Sequence, residues 1–74
     1  MVNRSTSGDL VRAWRERKGL TLDEIAAMTG LSRSALSRIE NNEQHLRADD
    51  MLALVAAFGT TVGRFYAAKI RRGA

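Results

Sequence analysis

Four polar side chains lie on one side of a short helical pattern in the middle of the chain. In the segment SRSALSRIE, residues 32–40, the apolar Leu36 and Ile39 stand at the spacing of a buried helix face. The other face carries two forked and two short polar groups: Arg33, Ser34, Ser37 and Arg38. An arginine can donate two hydrogen bonds to O6 and N7 of guanine, and a serine hydroxyl can serve several base edges. This face has the chemistry to read nucleic-acid bases, and the alternative for outward arginines on a helix is a plain solvated surface.

Groups for catalysis or metal binding are scarce in the sequence. There is no cysteine, which excludes disulfides and thiolate metal sites, and a single histidine, His45, cannot form a zinc centre by itself. No carboxylate pair stands at a recognisable spacing, and no nucleophile has a base in an interpretable pattern. We predict a protein that is not an enzyme and that needs no metal or cofactor.

The charge balance favours a partner rich in phosphate. Lysine and arginine number 12 against 8 acidic residues, which gives a net charge of +4 and an isoelectric point near 10.7 on 74 residues. Ten of the 12 cations are arginines, whose guanidinium forks match phosphate oxygens. The longest apolar stretch, MLALVAAFG, falls far short of the roughly 20 residues that span a bilayer. We expect no membrane partner and a cytoplasmic location, at the nucleoid when bound to DNA.

Hydrophobic spacing predicts an all-α chain of five helices, with the polar face on the third. Helix one covers 8–18, with Trp14 in the core, and helix two starts at the capping box formed by Thr21 and Glu24. Gly30 ends helix two, and Ser32 caps helix three. Helix four covers 49–58, and Thr61 caps helix five.

The same reading divides the chain into three parts. Residues 1–7 form a polar arm, residues 8–68 form one small domain, and residues 69–74 form a basic tail that includes Arg71 and Arg72. A chain this short can bury only about 60% of the surface that it exposes when unfolded, so a single compact core is expected.

Helices two and three are short and joined around Gly30, which is the spacing of a helix-turn-helix. The sequence here resembles the phage-repressor and Cro-type helix-turn-helix family of bacterial and phage regulators. The resemblance covers roughly residues 10–66 and rests on VRAWRERKGLTLDEIA, GLSRSALSRIEN and LALVAAFGTTVGRFY in that order. It implies a five-helix repressor-like domain, bacterial or phage-encoded, whose third helix reads bases in the major groove.

Helix starts and the loop after helix three are where we expect phosphate contacts, because backbone amides there favour an anion. The candidates are Thr21, Ser32, Asn41, Asn42, Gln44, His45 and Arg47. For the loop residues the alternative is ordinary turn chemistry, and for His45 it is a solvated imidazole without a role. The resemblance also implies a salt bridge between Arg15 and Glu40 that fixes the angle of helix three. Two departures stand out: Leu22 occupies a position that often carries Gln in the family, and Leu46 one that often carries Pro.

The predicted function is a sequence-specific, double-stranded-DNA-binding transcriptional regulator of the repressor type. One small module contacts few bases, so we expect a homodimer on a palindromic operator. The candidates for the dimer contact are Val62, Phe65 and Tyr66. The alternative is that all three complete the monomer core, and for Phe65 this is the favoured interpretation. The alternative is an antitoxin-type module that binds a partner toxin protein as well as its own operator.

Overall fold

A computed structural model describes residues 7–67, and the described part contains five helices and no strand. They are α1 (Ser7–Arg17), α2 (Leu22–Thr29), α3 (Arg33–Glu40), α4 (Ala48–Ala57) and α5 (Val62–Ala67). The prediction of an all-α five-helix domain is confirmed, with helix ends shifted by a residue or two at most positions. Residues 1–6 of the predicted arm and the basic tail, with Arg71 and Arg72, lie outside the described residues, whereas Ser7, the last residue of the predicted arm, begins α1.

The turn between α2 and α3 is set by local chemistry at both of its ends. The Thr21 hydroxyl accepts a hydrogen bond from the Glu24 amide at 3.0 Å, while the Glu24 carboxylate accepts one from the Thr21 amide at 2.8 Å. At the other end of α2, Gly30 adopts the left-handed conformation with φ of 81°. A residue without Cβ takes this conformation at little cost, so the chain can reverse sharply into α3.

The helices share one apolar core to which all five contribute. Its buried residues are Leu10, Val11, Ile25, Leu36, Ile39, Leu54, Val55, Phe58 and Phe65. Trp14 packs at the edge of this core, with its ring 6.2 Å from Phe58 and 6.4 Å from Phe65, and its indole donates to the Phe65 carbonyl. The prediction that Trp14 belongs to the core rather than to a base-stacking surface is confirmed. Leu22 and Leu46, the two departures from the family pattern, also pack against the core.

Helix α1 lies close to the end of α3 at Gly8. A Cβ atom built on Gly8 would lie 2.1 Å from the backbone oxygen of Ile39 and 2.5 Å from Oδ1 of Asn42. The first of these neighbours is backbone, so it cannot rotate away. Gly8 therefore sets how near α1 lies to the end of the predicted reading helix.

We expect Gly8→Ala to lower the free energy of unfolding by about 1–3 kcal/mol, the usual cost of overpacking a close contact. Chemical denaturation monitored by circular dichroism measures the change. Gly63→Ala is the matched control, because a Cβ at that exposed helical position meets nothing within 4 Å. The control should be neutral or stabilising by up to about 1 kcal/mol. Equal stabilities for the two variants would show that the α1–α3 contact tolerates a side chain.

Candidate nucleic-acid interface

The predicted reading face of α3 is open to solvent along most of its length. Leu36 and Ile39 are buried, while Arg33, Ser34 and Arg38 are exposed. Ser37 is only half-buried, so its hydroxyl is less accessible than that of Ser34. The structure thus brings the four predicted base readers onto one short helix, with the two arginines as its longest outward groups.

Arg33 and Asp23 form a loose ion pair across the helix-turn-helix. The distance from Nε of Arg33 to Oδ1 of Asp23 is 3.7 Å, and both side chains are largely exposed, at 66% and 74%. Pairs of this kind contribute little to stability, with a median of about 0–1 kcal/mol. Arg33 is therefore available to a partner that approaches α3.

Arg38 is held more closely, by a residue of the following loop. Its Nε donates a hydrogen bond of 3.2 Å to Oε1 of Gln44. Gln44 was predicted to bind phosphate, and here its side-chain carbonyl instead accepts from a predicted base reader. No sequence pattern pointed to this bond, because it depends on how the loop turns back along α3.

The end of α3 is a left-handed turn built on Asn42 rather than on glycine. Asn42 has φ of 61°, its amide donates to the Ile39 carbonyl, and the Glu43 amide donates to the Arg38 carbonyl at 2.8 Å. These two backbone bonds form a Schellman motif. The Asn42 side chain also donates to Oδ1 of Asp9 at 3.2 Å. This predicted phosphate ligand therefore has a structural task at the junction of α1 and the loop.

Glu40, at the end of α3, is the buried charge that joins α1 to the reading helix. Its carboxylate is 3% exposed and accepts bonds from Nε of Arg15 at 2.7 Å and Nη2 of Arg15 at 3.0 Å. The ion pair that the resemblance implied is present. The hydrogen bond to Glu40 raises the pKa of Arg15 above its ordinary value, against the opposing effect of partial burial. Arg15 therefore stays charged at every pH at which the protein would be studied, and the bridge loses its cation only at extremely alkaline pH.

A second arginine of α1 extends this bridge to the surface. Nε of Arg12 lies 3.4 Å from Oε1 of Glu40, and Nη2 of Arg12 donates to Oδ1 of Asn41 at 2.8 Å. Arg12 was not predicted to take part in this bridge, although its three-residue spacing from Arg15 places both on one helix face. With Oδ1 occupied, the side-chain NH₂ of Asn41 is the group left to meet a phosphate.

The remaining phosphate candidates fall into two groups. The Thr21 and Ser32 hydroxyls cap α2 and α3, and each accepts from a backbone amide of its own helix. Asn42, Gln44 and His45 line one shallow groove beside the start of α1, and Arg47 is exposed at the start of α4. Three of the loop candidates thus share one groove, whereas Thr21 lies at the start of α2.

Of the three dimer candidates, one is ruled out as a direct contact. Phe65 is 0% exposed and packs against Trp14, so it belongs to the monomer core. Val62 is half-buried against that core, whereas Tyr66 is 45% exposed and shares a hydrogen bond with the Ser7 hydroxyl at 3.2 Å. The core position of Phe65 agrees with the interpretation that the sequence favoured for this residue, whereas the sequence did not separate Val62 from Tyr66.

Residues 7–67, which the structure describes, contain no helix long and apolar enough to cross a membrane. They also contain no group of three or more histidine or acidic side chains placed to hold a metal ion.

The domain has five helices, and α2 and α3 are joined by a tight turn with an outward polar face on α3. This arrangement defines a DNA-binding domain of the helix-turn-helix class. The sequence matches the helix-turn-helix family over residues 11–65, and the chain belongs to this family. It is a DNA-binding transcription regulator. A search of curated proteins found no match.

Solved structures with the same fold include regulators of several kinds. The DNA-binding domain of the P22 C2 repressor is 25% identical, with a TM-score of 0.80 over 88% of this chain and 86% of that chain. The restriction-modification controller protein C.AhdI from Aeromonas hydrophila is also 25% identical, with a TM-score of 0.76 over 80% and 89%. The clp gene regulator ClgR from C. glutamicum, at 22% identity, TM-score 0.79 and coverage of 90% and 91%, shares the fold.

Proposed function

We propose that the protein regulates transcription by placing α3 in the major groove of a specific operator. Arg33 and Arg38 read guanines there, and Ser34 and Ser37 contact neighbouring base edges. Asn41, His45 and Arg47 hold the flanking phosphates, so that the loop after α3 fixes the register of the helix on the duplex. The chain acts by binding rather than by catalysis, and its place of action is the cytoplasm, at the nucleoid.

The observation that carries this proposal is the brace between Glu40 and Arg15. The buried carboxylate of Glu40 accepts two short hydrogen bonds from Arg15 in α1, and these bonds fix the angle between α3 and α1. Direct reading needs donors held in a defined direction, because a bidentate arginine must meet O6 and N7 of one guanine together. A braced helix with exposed arginines meets that requirement.

We propose further that the protein binds as a homodimer through the exposed side of α5. Two copies would place their reading helices one helical turn of DNA apart, about 34 Å, on a palindromic site. Tyr66 is the exposed aromatic group of α5, and aromatic side chains are enriched at interfaces. Val62 lies on the same short helix and would border the contact.

Tyr66→Asp should weaken self-association by at least about tenfold, because the carboxylate would lose its water on entering an apolar contact. Sedimentation equilibrium of the full chain measures the dissociation constant. Leu52→Asp is the control, since Leu52 is an exposed apolar residue of α4, at 58%. If Leu52→Asp disrupts the dimer and Tyr66→Asp does not, the interface lies on α4 and the proposed contact through α5 is wrong.

Selection of bound sequences from a random pool of duplex DNA tests the proposed function as a whole. The expected result is one enriched palindrome, with guanines in each half-site and half-sites about one helical turn apart. Failure of the wild-type chain to enrich any sequence would overturn the proposal. No observation favours the alternative of a toxin-binding module, which stays a prediction from the sequence.

A further inference from the structure

Gln44 lies in the loop after α3, and its side-chain carbonyl accepts a hydrogen bond from Arg38. We infer that it is a specificity-determining residue, which orients Arg38 so that the terminal nitrogens of the guanidinium meet one guanine. The inference rests on the proposed function, because it requires that Arg38 faces the major groove. It reassigns Gln44 from holding the DNA backbone to controlling how one base pair is read.

The geometry of the Arg38 side chain supports this role. An arginine has five N–H donors, and it can grip guanine either through Nη1 and Nη2 or sideways through Nε and Nη2. In the structure Nε of Arg38 already donates to Oε1 of Gln44 at 3.2 Å. Nε is therefore already used, and the terminal nitrogens Nη1 and Nη2 are left to bind O6 and N7 of guanine.

The loop that carries Gln44 is itself fixed to α3 and α1. The Glu43 amide donates to the carbonyl of Arg38 at 2.8 Å, so the residue before Gln44 is tied to the residue that Gln44 contacts. The Asn42 side chain donates to Asp9 in α1. Gln44 is half-buried, unlike the neighbouring His45. Its acceptor thus sits on an anchored segment and can hold Arg38 before DNA arrives.

If Gln44 orients Arg38 in the free protein, removal of Gln44 should reduce the preference of the protein for guanine over other bases. Immobilising one long side chain on binding costs a factor of about two to ten in affinity, and Gln44 removes part of that cost. A backbone contact would behave differently, because phosphates are present beside every base pair. The two roles therefore differ in whether the effect of Gln44 depends on sequence.

The test compares affinities of the full chain for two duplexes, the selected operator and a copy with adenine in place of the guanine read by Arg38. That guanine is the position whose preference is lost in Arg38→Ala. Gln44→Met keeps the length of the side chain and removes its acceptor. It should reduce the guanine-to-adenine ratio by about two- to tenfold. The same change made in an Arg38→Ala background should have no effect on the ratio or on affinity.

Gln44→Glu is the second variant, and it retains an acceptor for Nε of Arg38. It should keep the guanine-to-adenine ratio while weakening both duplexes, because the added negative charge faces DNA. If Gln44→Met weakens both duplexes equally, and does so in the Arg38→Ala background too, Gln44 binds phosphate and the inference is wrong while the proposed function stands. If Arg38→Ala alters no base preference, the assignment of Arg38 as a reader and the inference about Gln44 both fail.

Discussion

Glu40→Gln is expected to lower the free energy of unfolding by about 3 kcal/mol, the low end of the cost of breaking a buried ion pair. The substitution keeps the size of the side chain, so the loss would come from charge and hydrogen bonding. Arg15, whose side chain is 17% exposed, would keep its charge, and the single amide oxygen of Gln could replace only one of the two carboxylate oxygens that accept its short bonds. Urea denaturation of the two proteins at neutral pH gives the difference.

Glu43→Gln is the matched control for this prediction, because it makes the same chemical change at an exposed loop position. It should alter stability by no more than about 0.5 kcal/mol, as most surface substitutions do. The effect of Glu40→Gln should persist in 1 M salt, since buried pairs are screened much less than exposed ones. A Glu40→Gln protein as stable as the control would mean that the brace does not fix α3.

Arg38→Ala is expected to weaken binding to the selected operator by about 1–3 kcal/mol, the usual value of one bidentate arginine–guanine contact. The loss should be concentrated at one base pair per half-site, where all bases would then bind with similar affinity. Arg33→Ala should behave in the same way at a different base pair. Competition binding against single-base variants of the operator measures both effects.

Arg17→Ala serves as the control for charge removal. Arg17 is an exposed cation of α1 whose guanidinium carbon lies 5.5 Å from the ring centre of Trp14, on the side of the core formed by α4 and α5. Its loss should change affinity for all sequences alike, and only slightly. If Arg38→Ala shifts the affinity for operator and random DNA by the same factor, Arg38 contacts the backbone and not a base.

Local signals in the sequence were sufficient to predict most of the fold. The Thr21 capping box, the Ser32 cap and the Gly30 turn each depend on residues within a few positions of one another. Such features follow from backbone chemistry that the sequence displays directly. The spacing of Leu36 and Ile39 likewise predicted which side of α3 is buried.

Contacts between helices were harder to predict, because they depend on how closely the helices approach. The bond from Arg38 to Gln44 and the bond from Arg12 to Asn41 join segments whose relative position the sequence does not display. The closeness of α1 and α3 at Gly8 is of the same kind. Among these contacts between helices, only the ion pair of Arg15 and Glu40 was predicted, and that prediction came from the resemblance to a known family.

Replacement of individual operator guanines by 7-deazaguanine tests the central claim most directly. This base lacks N7, an acceptor in the major groove, and keeps its Watson–Crick pairing and its minor-groove edge. We predict that the substitution weakens wild-type binding at the guanines read by Arg33 and Arg38. It should have no further effect on Arg38→Ala at the guanine assigned to Arg38. Wild-type affinity that is unchanged by 7-deazaguanine at every guanine of the selected site would contradict major-groove reading by α3.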